Sequence, residues 1–208
     1  MDKYSVVQIY SEQDAKMIQE LDCNHLVFLT KPSDETKLDI IIDIGGKYRK
    51  VKGVIHYKPT KSGYMRFDEV RNLALSVVNT DYTLMLDADE LILTPELINY
   101  WCEKNKEAYV VNIISTFQDF SVKMSPTKRL FKTKYRYTGW SHEQPNIDEA
   151  YQTDLLIKHV GYINNQNNIK KNKRNVDLCI ESGLALTNNY QRYKLYQGLK
   201  MEFENGNT

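Results

Sequence analysis

The stretch that most constrains the fold of this chain is residues 82–90, where an apolar run ends in the carboxylates Asp87, Asp89 and Glu90. A continuous apolar run of this kind is typical of a strand that is buried on both faces of a sheet. In open α/β sheets, such strands present ligand-binding groups at their carboxyl ends. The stretch therefore predicts an α/β fold with acidic residues at one edge of a central sheet.

The spacing of Asp87 and Asp89 is compatible with joint metal binding. If the extended geometry persists, residues two apart point to the same side of a strand. Two hard oxygen ligands without a nearby thiol suit Mg²⁺ or Mn²⁺ shared with a diphosphate. A solvated acidic turn is the alternative that this short motif leaves open by itself.

Strand and helix patterns alternate along the chain. A strand over residues 6–10, a helix from Ser11 to about residue 21 and a strand over residues 25–29 form a βαβ pattern, which predicts parallel pairing and a right-handed crossover. Helices are also predicted from Asp68 and from Thr94. Further strands are predicted over residues 38–44, 51–57, 82–86, 109–115, 129–132, 135–137 and 155–162, with 129–132 and 135–137 expected to be antiparallel. Together these patterns predict a three-layer α/β sandwich with a mostly parallel, mixed central sheet.

The C-terminal part has a different pattern. Residues 164–168 form a polar break, and two amphipathic helices follow, joined near residues 188–189 as a helical hairpin. We therefore expect one domain over residues 1–168 and a helical appendix over residues 169–208. A tyrosine stripe on the last helix is more often a core feature than an interface, and a homodimer contact is the alternative.

Length and charge limit the function classes. The 208 residues allow one sizeable α/β domain, and the net charge of +1 gives no general attraction to nucleic acid or to an anionic membrane. No segment reads as a signal peptide or a membrane span, which predicts a cytoplasmic protein. Three widely spaced cysteines without a Cys-x-x-Cys pair indicate reduced thiols.

Other residues outside the acidic stretch are candidates for the site. Arg71 lies beside the apolar stripe of its predicted helix, in the first turn, where an anionic ligand or a salt bridge to a neighbouring acid would explain it. The loop over residues 138–145 carries Gly139, Trp140, His142 and Glu143, a composition typical of a binding loop. His159, near the end of the last strand, is either a structural residue or a ligand.

Five segments taken together resemble the family-two glycosyltransferases with the A-type nucleotide-sugar fold, which is Rossmann-like. They are residues 67–75, 81–90, 129–132, 139–143 and 159–162. Their order and approximate spacing agree from about residue 67 to residue 174, whereas the first 66 residues agree poorly. The branch that this chain resembles carries the motifs Arg71-Asn72, Leu86-Asp87-Ala88-Asp89-Glu90 and His142-Glu143 in bacterial and phage enzymes.

The resemblance implies a role for each matching residue. It implies that Asp87, Asp89 and His159 bind Mn²⁺ or Mg²⁺, with Asp89 the direct ligand. Glu143 would be the catalytic base, and His142 is the second choice. Contacts to donor or acceptor are implied for a further set: Glu12, Asp34, Asp43, Arg71, Asp87, Arg129, Gly139 and Trp140.

The chain departs from the family pattern near its amino terminus. The family has an Asn-Glu pair after the first strand, whereas this chain keeps Glu12 alone. The loop for the nucleoside is either residues 30–36, which retain Asp34, or residues 42–46, which retain Asp43. The first is preferred because it leaves the βαβ pattern intact.

The resemblance implies a metal-dependent transferase with a nucleotide-sugar-binding catalytic domain over residues 1–168. It would move a sugar from a nucleoside diphosphate sugar, with a UDP-sugar expected, to a nucleophilic acceptor with inversion. A nucleotidyltransferase on a similar sheet and an inactive sugar-nucleotide-binding module are the alternatives. A dehalogenase-type phosphatase fits less well, because Leu91 stands where that family has Thr or Val.

Overall fold

The computed structural model of the protein describes residues 3–11, 24–30, 37–43, 48–56, 60–61, 66–117, 119–160, 165–186 and 189–204. Eleven strands occur in these ranges: β1 Tyr4–Ser11, β2 Asn24–Thr30, β3 Lys37–Asp43, β4 Tyr48–His56, β5 Tyr82–Asp87, β6 Glu90–Ile92, β7 Ala108–Thr116, β8 Val122–Lys132, β9 Tyr137–Thr138, β10 Gln144–Pro145 and β11 Tyr151–His159. Four α-helices accompany them: α1 Phe67–Leu75, α2 Leu97–Glu103, α3 Asn165–Ser182 and α4 Asn189–Glu204. The α/β class is therefore confirmed.

Nine of the strands form one mixed sheet with the order β4-β3-β2-β1-β5-β8-β7-β11-β6, and β9 pairs with β10 separately. Within it β1 runs parallel to β2 and β5, and β7 runs parallel to β11. The other five neighbouring pairs are antiparallel, so the expectation of a mostly parallel sheet is wrong. The reason is that β2, β3 and β4 follow one another as antiparallel neighbours, while β8 turns back from β7 and lies between β7 and β5.

The core lies on both faces of this sheet. On β5, Leu84 and Leu86 pack on one face with Ile98 of α2, whereas Met85 packs on the other face with Val70 of α1. All five side chains are at most 1% exposed, as a strand buried on both faces requires. The apolar run of β5 is therefore explained by helices on opposite sides of it, which gives the layered arrangement that the sequence predicts.

The strand order creates a topological switch point beside β5. The chain passes from β1 outward through β2, β3 and β4, and then returns to the other side of β1 as β5. Ligands of open α/β sheets bind outside the carboxyl ends of the strands at such a point. The carboxyl ends of β1 and β5 lie side by side here, because Ile9 is opposite Asp87.

Several predicted boundaries change in the structure. β8 begins at Val122, earlier than predicted, because the polar, Pro126-containing half of this strand forms an exposed hairpin arm with β7. α3 begins at Asn165, so residues 165–168 of the predicted polar break are helical and the predicted domain boundary falls inside α3. The predicted helix over residues 11–21 lies outside the described residues beyond Ser11.

The structure also describes two of the cysteines, the tyrosine stripe and the lengths of the helices. Cys102 and Cys179 are buried free thiols, as expected, and Cys23 lies outside the described ranges. Tyr193 and Tyr196 of the tyrosine stripe are 56% and 65% exposed, so they are surface residues. Among the helices of the described residues, none is long and apolar enough to cross a membrane.

We predict that Gly198→Ala destabilises the helical hairpin. Alanine normally favours a helix over glycine, but a Cβ at Gly198 would lie 2.5 Å from Val176 Cγ2 of α3. The expected loss is about 1 to 3 kcal/mol of unfolding free energy, as for overpacking in a core, measured by urea denaturation. The double variant Gly198→Ala, Val176→Ala should be more stable than Gly198→Ala alone. A Gly198→Ala variant that is as stable as the wild type, or more stable, would contradict the close packing of α3 on α4.

Candidate active site

The candidate site is centred on Asp87, the last residue of β5, at the switch point of the sheet. The turn that follows is fixed from β1, because Gln8 Nε2 donates to the carbonyl oxygens of Asp87 at 3.3 Å and Glu90 at 3.2 Å. His25 Nε2 of β2 lies 2.8 Å from Gln8 Oε1. Gln8 and His25 are fully buried, and polar residues inside the apolar strands β1 and β2 are the sequence signal by which they could have been found.

Asp87 and Asp89 do not face the same way, contrary to the expectation from extended geometry. β5 ends at Asp87 and a turn occupies Ala88 and Asp89. The two carboxylates therefore have different partners. Asp87 is directed to arginine side chains, whereas Asp89 lies beside His159.

Both carboxylate oxygens of Asp87 are bound by guanidinium groups. Oδ1 accepts a hydrogen bond from Arg71 Nη2, and Oδ2 accepts one from Arg129 Nη2 at 2.6 Å. Burial opposes ionisation of this carboxyl, but Arg129 and Arg71 hold the pKa of Asp87 well below its usual range. The two guanidinium groups therefore favour the ionised form of Asp87.

Arg71 joins Asp87 to the predicted base. Its Nε donates to Glu143 Oε1 at 2.5 Å, and its guanidinium carbon lies 5.2 Å from the centre of the Tyr137 ring. Arg71 is the fifth residue of α1 and is 7% exposed, so it lies in the packed face of the helix and not in its exposed first turn. The predicted salt bridge to a neighbouring acid is made by Arg66, 3.0 Å from Asp68, and not by Arg71.

Glu90 is a part of the site that sequence reasoning left without a role. Its Oε1 accepts from Arg129 Nη2 at 2.8 Å and its Oε2 accepts from the Asp87 backbone N–H at 2.8 Å. Glu90 is 2% exposed, and a carboxylate at the start of the apolar strand β6 is the signal for this position. Burial and the charge of Asp87 raise the pKa of Glu90 to about 7, although Arg129 opposes the shift.

These contacts define an inner charge cluster of Arg71, Asp87, Glu90, Arg129 and Glu143. Two guanidinium groups and three carboxylates give it a charge of 2 − 3 = −1 when Glu90 is ionised. Since a net buried charge is unfavourable, the cluster either keeps a proton on Glu90 or attracts a further positive group. Its composition is therefore suited to binding a cation or a cationic complex at its outer side.

Asp89, His159 and Lys171 lie at that outer side. His159 Nε2 and Lys171 Nζ are each 3.3 Å from Asp89 Oδ2. Burial raises the pKa of Asp89, but the contacts with His159 and Lys171 outweigh it and lower the pKa. Burial likewise opposes a charged His159, yet Asp89 raises the pKa of this imidazole.

The contacts of the three predicted metal ligands limit which of them could bind a cation. Among the described residues no three ligating side chains converge on one point. Asp87 contacts guanidinium on both oxygens, so it does not fit a cation in this arrangement. Asp89 and His159 are suitable ligand types, but His159 Nε2 faces Asp89 Oδ2 here, so a cation could bind both only by replacing their mutual contact.

The loop of residues 138–143 is held over the cluster by α1. Asn72 donates to the Tyr137 carbonyl at 2.9 Å and accepts from the Tyr137 N–H at 2.7 Å. The Trp140 carbonyl accepts from the Phe67 N–H at 3.2 Å, and Arg66 lies over the Trp140 ring at 4.7 Å. Gly139 has a φ of 101°, a backbone conformation that glycine adopts readily because it has no Cβ.

His142 is a left-handed residue of the same loop, with φ 52. Burial, together with Lys194 of α4 and Arg174 of α3, lowers the pKa of His142 to about 4. Arg174 also lies 4.6 Å over the ring of Phe67, so a side chain of α3 reaches the start of α1. An imidazole with this pKa is neutral at pH 7 and takes up a proton only weakly, so His142 has lost the advantage that an ordinary histidine has as a base near neutral pH.

The structure brings most of the predicted site residues together. Arg71, Asp87, Arg129 and Glu143 share one cluster, and Asp89 and His159 lie at its edge. Glu12 and Asp34 lie outside the described residues. Asp43 is opposite His25 at the amino end of β2, whereas Asp87 is at the carboxyl end of β5, so the sheet does not bring Asp43 to the site.

We predict that His142→Asn makes stability less sensitive to acid. Because the pKa of His142 is about 4 in the folded protein and near 6.5 when unfolded, the unfolded chain takes up the proton first as the pH falls. The wild-type protein should therefore lose about 1 to 3 kcal/mol more unfolding free energy between pH 6.5 and pH 4 than the variant. Urea denaturation at both pH values measures the difference. Asparagine tolerates positive φ, which preserves the loop. Equal losses in both proteins would contradict the environment assigned to His142.

Comparison with known proteins gives no family assignment. No protein-family model matches the chain, and no curated protein matches it significantly. The function must therefore be inferred from the chemistry of the residues themselves.

Proposed function

We propose that the protein is a metal-dependent glycosyltransferase of the A-type fold, which transfers a sugar from a nucleoside diphosphate sugar to a nucleophilic acceptor with inversion. One observation carries the proposal. Segments that are far apart in the sequence and that together resemble family-two enzymes supply two neighbouring groups of charged side chains at the switch point. Arg71, Asp87, Arg129 and Glu143 form connected ion pairs, and Asp89 and His159 form a second pair beside them. A chance acidic turn would not be expected to gather all of these partners.

The two guanidinium groups of the cluster suit a diphosphate as leaving group, while a bound metal ion would offset the excess negative charge of the cluster. Guanidinium groups bind phosphate oxygens through paired hydrogen bonds, and Arg71 and Arg129 are the arginines nearest to Asp87. Lys171 adds an ammonium group at the outer side. These three side chains would balance negative charge as it grows on the departing diphosphate.

Mn²⁺ or Mg²⁺ would be held by Asp89 and His159 together with diphosphate oxygens. Such an ion supplies positive charge that stabilises the leaving group. Asp87 would orient the arginines that face the same leaving group. In this proposal Asp89 binds the metal ion, whereas Asp87 holds the arginine side chains.

Glu143 is the proposed proton acceptor. As the acceptor oxygen forms its bond to the anomeric carbon, its proton passes to a carboxylate oxygen of Glu143. The bond from the anomeric carbon to the diphosphate oxygen breaks, and its electron pair leaves with the nucleoside diphosphate. Glu143 is 10% exposed on its side chain and belongs to the loop that carries Trp140, an aromatic ring of the kind that can pack on a sugar.

The proposal includes the reducing environment of the cytoplasm. Support comes from the buried free thiols of Cys102 and Cys179. A homodimer through α4 is also proposed, since Tyr193 and Tyr196 are exposed on it.

A sugar-nucleotide-binding module without turnover is a second candidate. The observation in its favour is that Asp87 and Glu143 both contact Arg71, so the predicted base is engaged in an ion pair. Incubation with a panel of nucleotide sugars and Mn²⁺ separates the candidates by product. A nucleoside diphosphate product supports the transferase, whereas binding without any product supports the module. A nucleotidyltransferase would be recognised in a separate incubation with a nucleoside triphosphate and a sugar 1-phosphate, from which it would release pyrophosphate.

We predict that Glu143→Gln spares donor binding and lowers turnover by about two to four orders of magnitude, as loss of a general base does. Calorimetry gives the affinity and nucleoside diphosphate release gives the rate. Glu149→Gln is the matched control, because Glu149 is an exposed acid six residues further along the same segment. Undiminished turnover of Glu143→Gln would remove Glu143 from the mechanism.

We also predict that Asp89→Asn abolishes the dependence of donor affinity on Mn²⁺. The substitution keeps the size of the side chain and removes the charge that a cation requires. Titration of donor with and without Mn²⁺ measures the effect, and Asp148→Asn, at an exposed position, is the control. If Asp89→Asn retained the metal effect in full, the cation would have to bind elsewhere.

A further inference from the structure

The inner charge cluster is an unbroken series of ion pairs in the order Glu143, Arg71, Asp87, Arg129, Glu90. Each arginine lies between two carboxylates. Arg71 Nε contacts Glu143 Oε1 at 2.5 Å, while its Nη2 contacts Asp87. Arg129 Nη2 contacts Asp87 Oδ2 at 2.6 Å and Glu90 Oε1 at 2.8 Å.

The carboxylates of this series differ in how many cations they contact. Asp87 contacts two guanidinium groups, whereas Arg71 is the ionic partner of Glu143 in the part of the chain that the structure describes. If Arg71 turned to another anion, Asp87 would still be neutralised by Arg129. Glu143 would therefore be the carboxylate that loses its ionic partner.

We propose that Arg71 is a positioning residue that couples the state of Glu143 to occupancy of the donor site. Without a donor, Arg71 holds Glu143 in the ion pair. A bound diphosphate takes the Arg71 guanidinium, and Glu143 is then released to accept a proton. This inference rests on the proposed function, and it adds that the base becomes available only when the leaving group is in place.

The surroundings of Arg71 allow this exchange without movement of the helix. The backbone of α1 is fixed by Val70 and Ala74, which are buried in the core beneath it. The guanidinium can remain over the Tyr137 ring, 5.2 Å away, while its N–H groups change partner. Exchange of one anion for another keeps the buried Arg71 cation paired throughout. The cost of an unpaired buried charge then falls on the Glu143 carboxylate, which favours its taking up a proton.

The test follows the Nε–H resonance of Arg71 by ¹⁵N NMR, with inorganic pyrophosphate as the probe, in the presence and absence of Mg²⁺. The resonance is identified by its loss in Arg71→Lys. Since Nε donates to Glu143, Glu143→Gln should shift this resonance without any added ion. Pyrophosphate should shift it saturably in the wild type. Arg136, exposed and bound to the carbonyls of Thr133 and Tyr135, provides the internal control resonance and should not move.

Two results would overturn the proposal. One is an Arg71 resonance that does not respond to pyrophosphate at any concentration, whether or not the ion binds elsewhere. The other is an unchanged Arg71 resonance in Glu143→Gln, which would mean that the pair does not exist in solution. Each of these readings is made on a variant or a state that does not require turnover.

The same measurements separate this proposal from the proposed function. If pyrophosphate shifts the Arg71 resonance but no donor gives sugar transfer, the partner exchange of Arg71 is supported and the transferase is rejected. Sugar transfer without a response at Arg71 would retain the transferase and reject the exchange. When transfer is present, Arg71→Gln should raise donor KM and lower kcat together, whereas Arg136→Gln should change neither.

Discussion

Asp87, Glu90 and Glu143 lie within a few ångströms of Arg71 and Arg129, and the architecture around them is arranged to keep these charges paired. Removing one partner of a buried ion pair typically costs about 3 to 5 kcal/mol, because the other charge is left without compensation. The elements that carry the pairs, α1, β5, β6, β8 and the loop after β9, are consequently fixed relative to one another. The packing of the carboxyl edge of the sheet therefore depends on electrostatics as much as on apolar contacts.

The apolar pattern of the sequence predicted the parts of the fold that depend on local composition. β5 was predictable from its continuous apolar run and α1 from its helical apolar stripe, and the acids after β5 were predictable as an edge feature. The relation between neighbouring strands was not predictable in the same way. The place of β8 between β5 and β7 depends on a hairpin whose outer half is polar and exposed, and no apolar alternation marks it.

The candidate site shows a similar division. Residue types and motif order identified Arg71, Asp87, Arg129 and Glu143, but not which of them meet. Arg71 and Glu143 are 72 residues apart in the sequence, and Arg129 and Asp87 are 42 residues apart. Only the completed fold therefore brings each pair together. The different directions of Asp87 and Asp89 were also inaccessible from the motif, since they depend on where β5 ends and the turn begins.

The contact between Gln8 and the turn after β5 bears on how the protein folds. This side chain and Asp87 are 79 residues apart, and the strands that carry them are adjacent in the finished sheet. Contacts between such distant residues form slowly, because a long loop must close before they contribute. The acidic turn acquires its support only after the chain has left β1, built the outer strands and returned. An intact charge cluster is consequently a signature of a completely folded chain, and partly folded forms would carry the motif without its geometry.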